Sequence, residues 1–286
     1  MKKFAIVTPV KDEINYFPKT VKSILDQELK PQKWIIIDDG STDGTSEIIK
    51  NLEKEHNWIE GIYREPSKSR KPGGESVLGI GLEKVNIDDY DFIVRMDGDL
   101  EFDPSYFREL IGKFEIDDNL GIASGVCFII RDGKMYEEQH PRFHTRGPIK
   151  TYRTRCFKDV GKLESCLGWD AIDELKANKL GWKTWSFPEL KITHLKKTQN
   201  ANGPFRGGIN IGIAKYNAGY HPLFIILKAF YIILFRHYKT TSVGLLWGYF
   251  SRLLKRQPRP IDKELIKYVR KQQMNRILGK KSIWTY

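Results

Sequence analysis

The stretch RMDGDLEF, residues 95–102, sets Asp97 and Asp99 one residue apart directly after an apolar run. In a β-strand the side chains at i and i+2 share a face. A strand persisting through Asp99 would therefore make the carboxylates converge, whereas a strand ending before it leaves the aiming to a turn. Two like charges so placed repel unless a cation lies between them. An oxygen-seeking divalent ion such as Mg²⁺ or Mn²⁺ removes that repulsion, and Mg²⁺ is typically held by one or two carboxylates together with substrate phosphates. The other reading is an acidic surface turn, since Asp and Gly are favoured turn residues.

The elements that must position these carboxylates are legible as an alternation of short β-branched runs and helical stretches. Residues 4–10 (FAIVTPV), 34–40 (WIIIDDG), 58–65 (WIEGIYRE) and 91–97 (DFIVRMD) read as strands. FPKTVKSILDQ, TSEIIKNLEKE and ESVLGIGLEKV between them carry apolar residues near the helical period. Strands that are apolar almost without interruption are buried on both faces, so the first hundred residues predict an open parallel sheet covered by helices. Ligands of such sheets sit at the carboxyl ends of the strands. The acidic groups cluster there: KDE after the first strand, DDGSTDGT after the second and DGD after the fourth. No GxxxxGK[ST] loop or GxGxxG turn follows the first strand, which argues against a P-loop nucleotidase and a dinucleotide-binding dehydrogenase. A carboxylate in these loops can accept a hydrogen bond from a base N–H such as uracil N3, or from ribose hydroxyls. Part of DDGSTDGT also reads as an Asx turn capping the next helix through Thr42 or Asp43.

VTPVKDE, IIIDDGSTDGT, VRMDGDLEFDP and GWDAIDE stand in the order and rough spacing of the motifs of the inverting glycosyltransferase family 2, and residues 3 to about 198 resemble that family. The resemblance implies a GT-A fold, a Rossmann-like, mainly parallel sheet with helices on both faces. It also implies a nucleotide-diphosphate sugar, UDP-linked or similar, as donor. In that pattern Pro9, Glu13 and Asp39 hold the nucleoside, with Asp39 on the base. Asp97 lies nearer the ribose, and Asp99 binds the Mn²⁺ or Mg²⁺ that bridges the diphosphate. His194, at the end of a predicted strand, is either a further metal or diphosphate contact or a structural histidine. Asp170 is the expected general base, with Asp173 and Glu174 on the same helical face as rivals and an N-cap as its structural role. Trp169 is either a platform for the acceptor sugar or a core residue. Where many members carry an Arg-Asn pair at the start of the third helix, this chain has GGESVLGIGL; the preceding SKSRKPGG offers Arg70 and Lys71 for the diphosphate instead.

The rest of the chain bounds the function. With 286 residues and a net charge of +12, it suits one α/β domain (1–200) with a helical, basic extension (201–286). Cys127, Cys156 and Cys166 form no CxxC pair, which supports neither a disulfide framework nor a zinc ribbon. His140 and His144 flank Pro141 with no third ligand nearby, so no zinc site is expected there. Residues 131–155 read as a mobile acceptor-side loop, and NANGPFRGGINIG (200–212) as a flexible glycine-rich connection. PLFIILKAFYIILF (222–235) is shorter than the roughly 20 residues of a spanning helix. SVGLLWGYFSRLLKR has the two-sided look of a helix lying in an interface. Residues 255–286 hold ten Lys/Arg against Asp262 and Glu264, a balance that suits anionic lipid heads. The apolar start of the chain reads as a strand rather than a signal peptide.

The leading expectation is a metal-dependent transferase acting on a glycan or lipid-linked acceptor in cell-surface polysaccharide or glycoconjugate synthesis, cytoplasmic and peripheral on the inner membrane face. The alternatives are a sugar nucleotidyltransferase, which should show a glycine-rich signature after the first strand, and a non-catalytic basic nucleic-acid-binding protein. An acidic rim repels nucleic-acid phosphates, so no nucleic-acid partner is expected.

Overall fold

The computed structural model describes residues 2–65, 75–131, 133–138, 140–145, 147–196, 203–236 and 238–285. In chain order the elements of the first part are β1 (Phe4–Val10), α1 (Phe17–Leu25), β2 (Lys33–Asp38), α2 (Thr45–Glu55), β3 (Ile59–Tyr63), α3 (Glu75–Glu83), β4 (Phe92–Met96), β5 (Leu100–Phe102), α4 (Tyr106–Ile116), β6 (Leu120–Arg131), β7 (Lys134–Glu137), β8 (Ile149–Arg153) and α5 (Thr154–Val160). They are followed by α6 (Trp169–Lys179), β9 (Lys183–His194), α7 (Gly203–Asn217), α8 (Pro222–Arg236), α9 (Lys239–Leu254) and α10 (Lys263–Ile277).

The strands form one mixed sheet in the order β3-β2-β1-β4-β8-β6-β9-β5, with β7 paired to β6. The first four are parallel, as the βαβ pattern predicts. β8 is antiparallel to both β4 and β6, β6 runs parallel to β9, and β5 closes antiparallel on β9. The central strands are buried throughout because they are covered on both faces. On one face, α1 buries Phe17, Thr20, Val21 and Ile24, and α4 buries Tyr106, Phe107, Leu110, Ile111 and Phe114, each set at helical spacing. These side chains join Phe4, Trp34 and Phe92 in one core, with Phe4 and Phe107 ring centres 4.8 Å apart. Burying a side chain of this size contributes about 1.5–3 kcal/mol relative to leaving it exposed.

By packing, the chain divides into two compact units, Met1–Gly161 with Leu180–Lys197, and Lys162–Lys179 with Thr198–Tyr286. The whole sheet lies in the first unit. Two expectations are corrected here. Residues 131–155 are not a mobile loop: they contain β7 and β8, and every residue of β8 is buried at the centre of the sheet. Its Lys and Arg residues hid a strand that lies between two others. Nor is 200–212 a flexible connection, because from Gly203 onward it is the helix α7. Gly208 and Gly212 of α7 face Gly244 and Gly248 of α9 at a backbone-to-backbone approach. A Cβ at any of the four would fall inside 3.0 Å of the partner's carbonyl oxygen: Thr241 and Leu245 on α9, Phe205 and Ile209 on α7. Glycine at four-residue spacing on both helices is what lets them pack so closely.

The second unit is completed by α10, which packs on α6 and α8. Asp262 caps α10 by accepting from the Leu265 N–H at 2.6 Å. The C-terminal basic region is thus part of a packed subdomain. Arg259 stacks on the Tyr216 ring at 4.0 Å and donates to the Tyr216 carbonyl, and Arg270 donates to the Gly219 carbonyl at 3.3 Å. Among the described residues, no helix is long and apolar enough to cross a membrane.

Candidate active site

In the first unit β4 ends at Met96, so the turn rather than the strand aims the acidic pair. The Asp97 N–H donates to the Pro148 carbonyl at 2.7 Å. Gly98 lies so close to β1 that a Cβ would come within 2.5 Å of Val10 Cγ1. The buried Thr20 hydroxyl of α1 donates to the carbonyls of Gly98 and Leu100 at 2.9 and 2.8 Å and accepts from the Leu100 N–H at 2.9 Å. Thr20 thereby fixes the turn, a role that no motif announced.

Asp99 is carried by this turn to the start of β5, whose pairing with β9 sets Leu100 opposite His194. The Leu195 N–H donates to the Asp99 carbonyl at 2.8 Å, and Asp99 Oδ2 lies 3.1 Å from His194 Nε2. Both side chains are largely buried. Burial opposes charge on His194, but the hydrogen bond to Asp99 and the charges of Asp99, Asp97 and Glu138 outweigh it, and the imidazole pKa is raised. Its Nδ1 is buried with no hydrogen-bond partner among the described residues.

Glu13 comes from the loop after β1. Its Oε1 accepts from Lys196, two residues past His194, while Oε2 is buried with no hydrogen-bond partner among the described residues. Burial raises the Glu13 pKa, Lys196 works against that, and the charges of Asp99 and Asp43 add to it. Glu13 and Asp99 therefore feel each other at one end of the sheet, which is the repulsion a cation would relieve. The loops after β1 and β2 hold each other in place. The N–H groups of Asp12, Glu13 and Ile14 donate to Ser41, Thr45 and Asp43 at 3.0, 3.0 and 2.9 Å, and Asp12 accepts in return from the Thr42 N–H at 2.8 Å. Asp43 makes the expected Asx turn by accepting from the Thr45 N–H at 3.0 Å; Gly44 holds the N-cap position of α2 with no side-chain cap.

Asp38 is buried, accepting from Ser46 and from the Ser41 N–H at 2.8 Å, so of the DD pair it is the structural member. Asp39 is paired to Arg64 just beyond β3, and its N–H donates to the Val10 carbonyl at 2.9 Å. Pro9 lies in β1 opposite Ile37, one residue short of the strand's end. Asp97 is half-buried, 3.8 Å from Arg95. The structure thus brings Glu13, Asp99 and His194 together, with Asp97 and Asp39 in loops at the same carboxyl ends. Arg70 and Lys71 lie outside the described residues.

In the second unit α6 opens at Trp169, after Gly168 at φ +86°. Asp170 is therefore in the first turn, not at the N-cap. It is half-buried, whereas its rivals Asp173 and Glu174 are buried, as is Trp169. Solvent access favours Asp170 among the three carboxylates.

Residues 5–168, more than half of the chain, match the family described as Glycosyl transferase family 2. The chain belongs to glycosyltransferase family 2. Two curated family relatives are a GalNAc(5)-diNAcBac-PP-undecaprenol beta-1,3-glucosyltransferase of Campylobacter jejuni, 25% identical over 48% of this chain, and the putative teichuronic acid biosynthesis glycosyltransferase TuaG of Bacillus subtilis, 39% identical over 21% of it. The matches span only 42% and 24% of those relatives. Among solved structures, S. aureus TarS 1-349 aligns with a TM-score of 0.56 at 15% identity, covering 97% of this chain and 79% of that one. The mannosyltransferase PcManGT from Pyrobaculum calidifontis, in complex with GDP-Man and Mn²⁺, aligns with a TM-score of 0.59 at 13% identity, covering 98% and 88%. The fold is that of the GT-A glycosyltransferases. The family match includes Pro9, Glu13, Asp39, Asp97 and Asp99 and stops just before Trp169 and Asp170.

Family 2 enzymes of this fold generally use a divalent metal, and the donor set here suits one. Asp99 and Glu13 are hard oxygen donors, one carboxylate oxygen is buried without a partner, and an imidazole adjoins them. Among the described residues no group of three or more His, Cys, Asp or Glu forms a ready cage.

Proposed function

We propose that the chain is an inverting, metal-dependent glycosyltransferase that moves a sugar from a nucleotide-diphosphate sugar, UDP-linked in the first instance, to a glycan or lipid-linked acceptor of the cell surface. The observation that carries this reading is the buried Asp99–His194 contact beside the unpartnered Glu13 oxygen at the carboxyl end of the sheet. Support for the substrate class comes from relatives whose names specify an undecaprenol-linked acceptor and teichuronic acid biosynthesis, and from a TarS structure in complex with UDP-GlcNAc.

In this reading Asp39, oriented by Arg64, accepts from the base N–H, while Pro9 and Glu13 line the nucleoside. Asp97 reaches the ribose. Asp99 and His194 hold Mn²⁺ or Mg²⁺, which would supply charge neutralisation for the leaving diphosphate. Arg70 and Lys71 remain the proposed diphosphate contacts. Asp170 takes the proton of the acceptor hydroxyl as its oxygen bonds to the anomeric carbon from the side opposite the leaving group; the diphosphate departs with the electron pair of the broken bond, and the configuration inverts. Trp169 is buried, which suits a wall supporting Asp170 better than an exposed sugar platform.

The reading extends to a membrane surface, with the second unit peripheral to the bilayer. Leu223, Leu227, Phe230, Tyr231, Leu234 and Phe235 form one exposed stripe along α8, and α9 adds Val243, Trp247 (65% exposed) and Leu254 (81%). Exposed Lys239, Lys255 and Arg256 border these residues. An apolar face with a basic border is the pattern of an element seated among anionic headgroups. The function is tested by screening nucleotide sugars for Mn²⁺-dependent hydrolysis. Turnover of one donor class supports it; no turnover, with nucleotide binding indifferent to metal, contradicts it.

A further inference from the structure

The acids at the carboxyl end of the sheet stand against cations of the chain. Asp39 is paired to Arg64, Asp97 lies 3.8 Å from Arg95, and Glu13 Oε1 accepts from the Lys196 ammonium. Lys196 differs from the other two in where it is rooted, two residues past His194 at the end of β9. The Leu195 N–H donates to the Asp99 carbonyl at 2.8 Å, so the backbone that carries Lys196 is strapped to the turn that carries Asp99. An anion held at Asp99 through a divalent ion would come within reach of a flexible four-carbon stem rooted one residue from that strap.

The pair that Lys196 makes with Glu13 is one-sided. The Glu13 side chain is 13% exposed and that of Lys196 48%. An ion pair open to water on one side is screened and contributes little, so the ammonium leaves it at small cost. The carboxylate cannot follow. The Glu13 N–H is bonded to Thr45 at 3.0 Å, and the N–H groups of Asp12 and Ile14 on either side are bonded to Ser41 and Asp43. Lys196 also satisfies only half of the carboxylate, since Oε2 is buried with no hydrogen-bond partner among the described residues. An ionised carboxylate only accepts, and ribose hydroxyls can replace the ammonium as its donors. A phosphate oxygen offers Lys196 a charge-assisted bond, and a lysine acts on phosphate as a point charge with freely turning donors. A diphosphate brought beside Glu13, Asp97 and Asp99 adds negative charge to an end of the sheet that is already acidic, which a cation of the chain relieves.

We propose that Lys196 is a donor-binding residue that pairs with Glu13 until a nucleotide enters and then turns to its diphosphate, leaving Glu13 to the ribose. This rests on the nucleotide-sugar reading of the site and adds to it a cation of the first unit that meets the leaving group. The charge of Lys196 then opposes the negative charge that builds on the diphosphate as the sugar departs.

The test compares UDP, titrated calorimetrically into the full chain with Mn²⁺, with uridine, followed by ligand-observed NMR. Wild type is set beside Lys196→Gln and Lys196→Arg. The glutamine still donates to Glu13 Oε1 but carries no charge. Lys196→Gln should weaken UDP by about tenfold or more, the usual loss of one charged hydrogen bond, and leave uridine nearly unchanged. Lys196→Arg should recover most of the UDP affinity. Should Lys196→Gln melt below the titration temperature, Glu13→Gln is compared with Glu13→Gln/Lys196→Gln, which leaves no unpaired carboxylate, and loss of the lysine should again weaken UDP. A role confined to holding Glu13 would weaken UDP and uridine alike. That result, or UDP binding unchanged by loss of the lysine, overturns the proposal. Absence of Mn²⁺-dependent UDP binding in wild type removes the nucleotide-sugar reading itself, and the proposal with it.

Discussion

The acidic pair was recognisable from its spacing and its place after an apolar run, and His194 was expected near it from the family resemblance; what the sequence did not show is the direct contact of Asp99 with His194, made across 95 residues by the β5–β9 pairing. Lys196, Arg64 and Thr20 were invisible, because each acts across the tertiary fold and none sits in a pattern of its own. Asp99→Asn keeps the shape of the side chain and can still hydrogen-bond His194 while losing the negative charge. It should abolish Mn²⁺-dependent turnover with the thermal midpoint little changed, measured by donor hydrolysis and calorimetric melting. Asp170→Asn should lower kcat by roughly two to four orders of magnitude, the usual worth of a positioned general base, with donor KM within a few-fold. If turnover survives, Asp170 is not the base. Lys228 gives a pH signature. Its folded pKa is about 7 against the ordinary 10.5, so below pH 7 the group is charged in both states and its burial penalty is present in full. Between those values the unfolded chain binds more protons, and stability from this group rises with pH. The thermal advantage of Lys228→Met over wild type should therefore be largest below pH 7 and shrink toward pH 10; an advantage independent of pH would contradict this.

At the scale of elements, β1 and α2 match the expected ranges residue for residue, and β2, β3 and β4 differ from theirs only at the ends. Buried parallel strands and amphipathic crossover helices each write a strong periodicity, which is why this half of the fold was legible. β8 was missed because its Lys150 and Arg153 break the apolar run, although the sheet buries both. Arg153 satisfies its guanidinium on the carbonyls of Leu120, Phe114 and Asp117, a solution that depends on strands distant in sequence. α7 was missed because Gly208 and Gly212 read as flexibility, whereas their absent side chains serve the close crossing with α9. The repeated four-residue spacing of glycines in both helices was the available signal. Gly212→Leu should force these backbones apart and destabilise the fold by about 1–3 kcal/mol or more, the usual cost of overpacking a tight contact. Gly112, with open space around its Cα, is the control, and Gly112→Ala should be neutral or stabilising by chemical melting. Equal effects at both positions would refute the close-crossing role.

At the scale of the molecule, two compact units divide the proposed chemistry, the donor-side residues in the first and Asp170 in the second. The excess of positive charge in the C-terminal region was plain in composition, but its division of labour was not. Arg259 and Arg270 are engaged in packing, while Lys239, Lys255 and Arg256 are exposed. Reversing those three exposed charges to Glu should reduce flotation with vesicles containing anionic lipid and leave the thermal midpoint nearly unchanged, since surface charges away from packed groups contribute little to stability. Unaltered flotation would remove the charged border from the membrane account. The central claim is that Asp99 and its neighbours bind a nucleotide diphosphate through a divalent ion, and calorimetric titration of UDP into the full chain with and without Mn²⁺ tests it most directly. The account predicts binding that requires Mn²⁺ in the wild-type protein and is lost in Asp99→Asn; UDP binding of equal strength without metal, or unchanged in the variant, would contradict it.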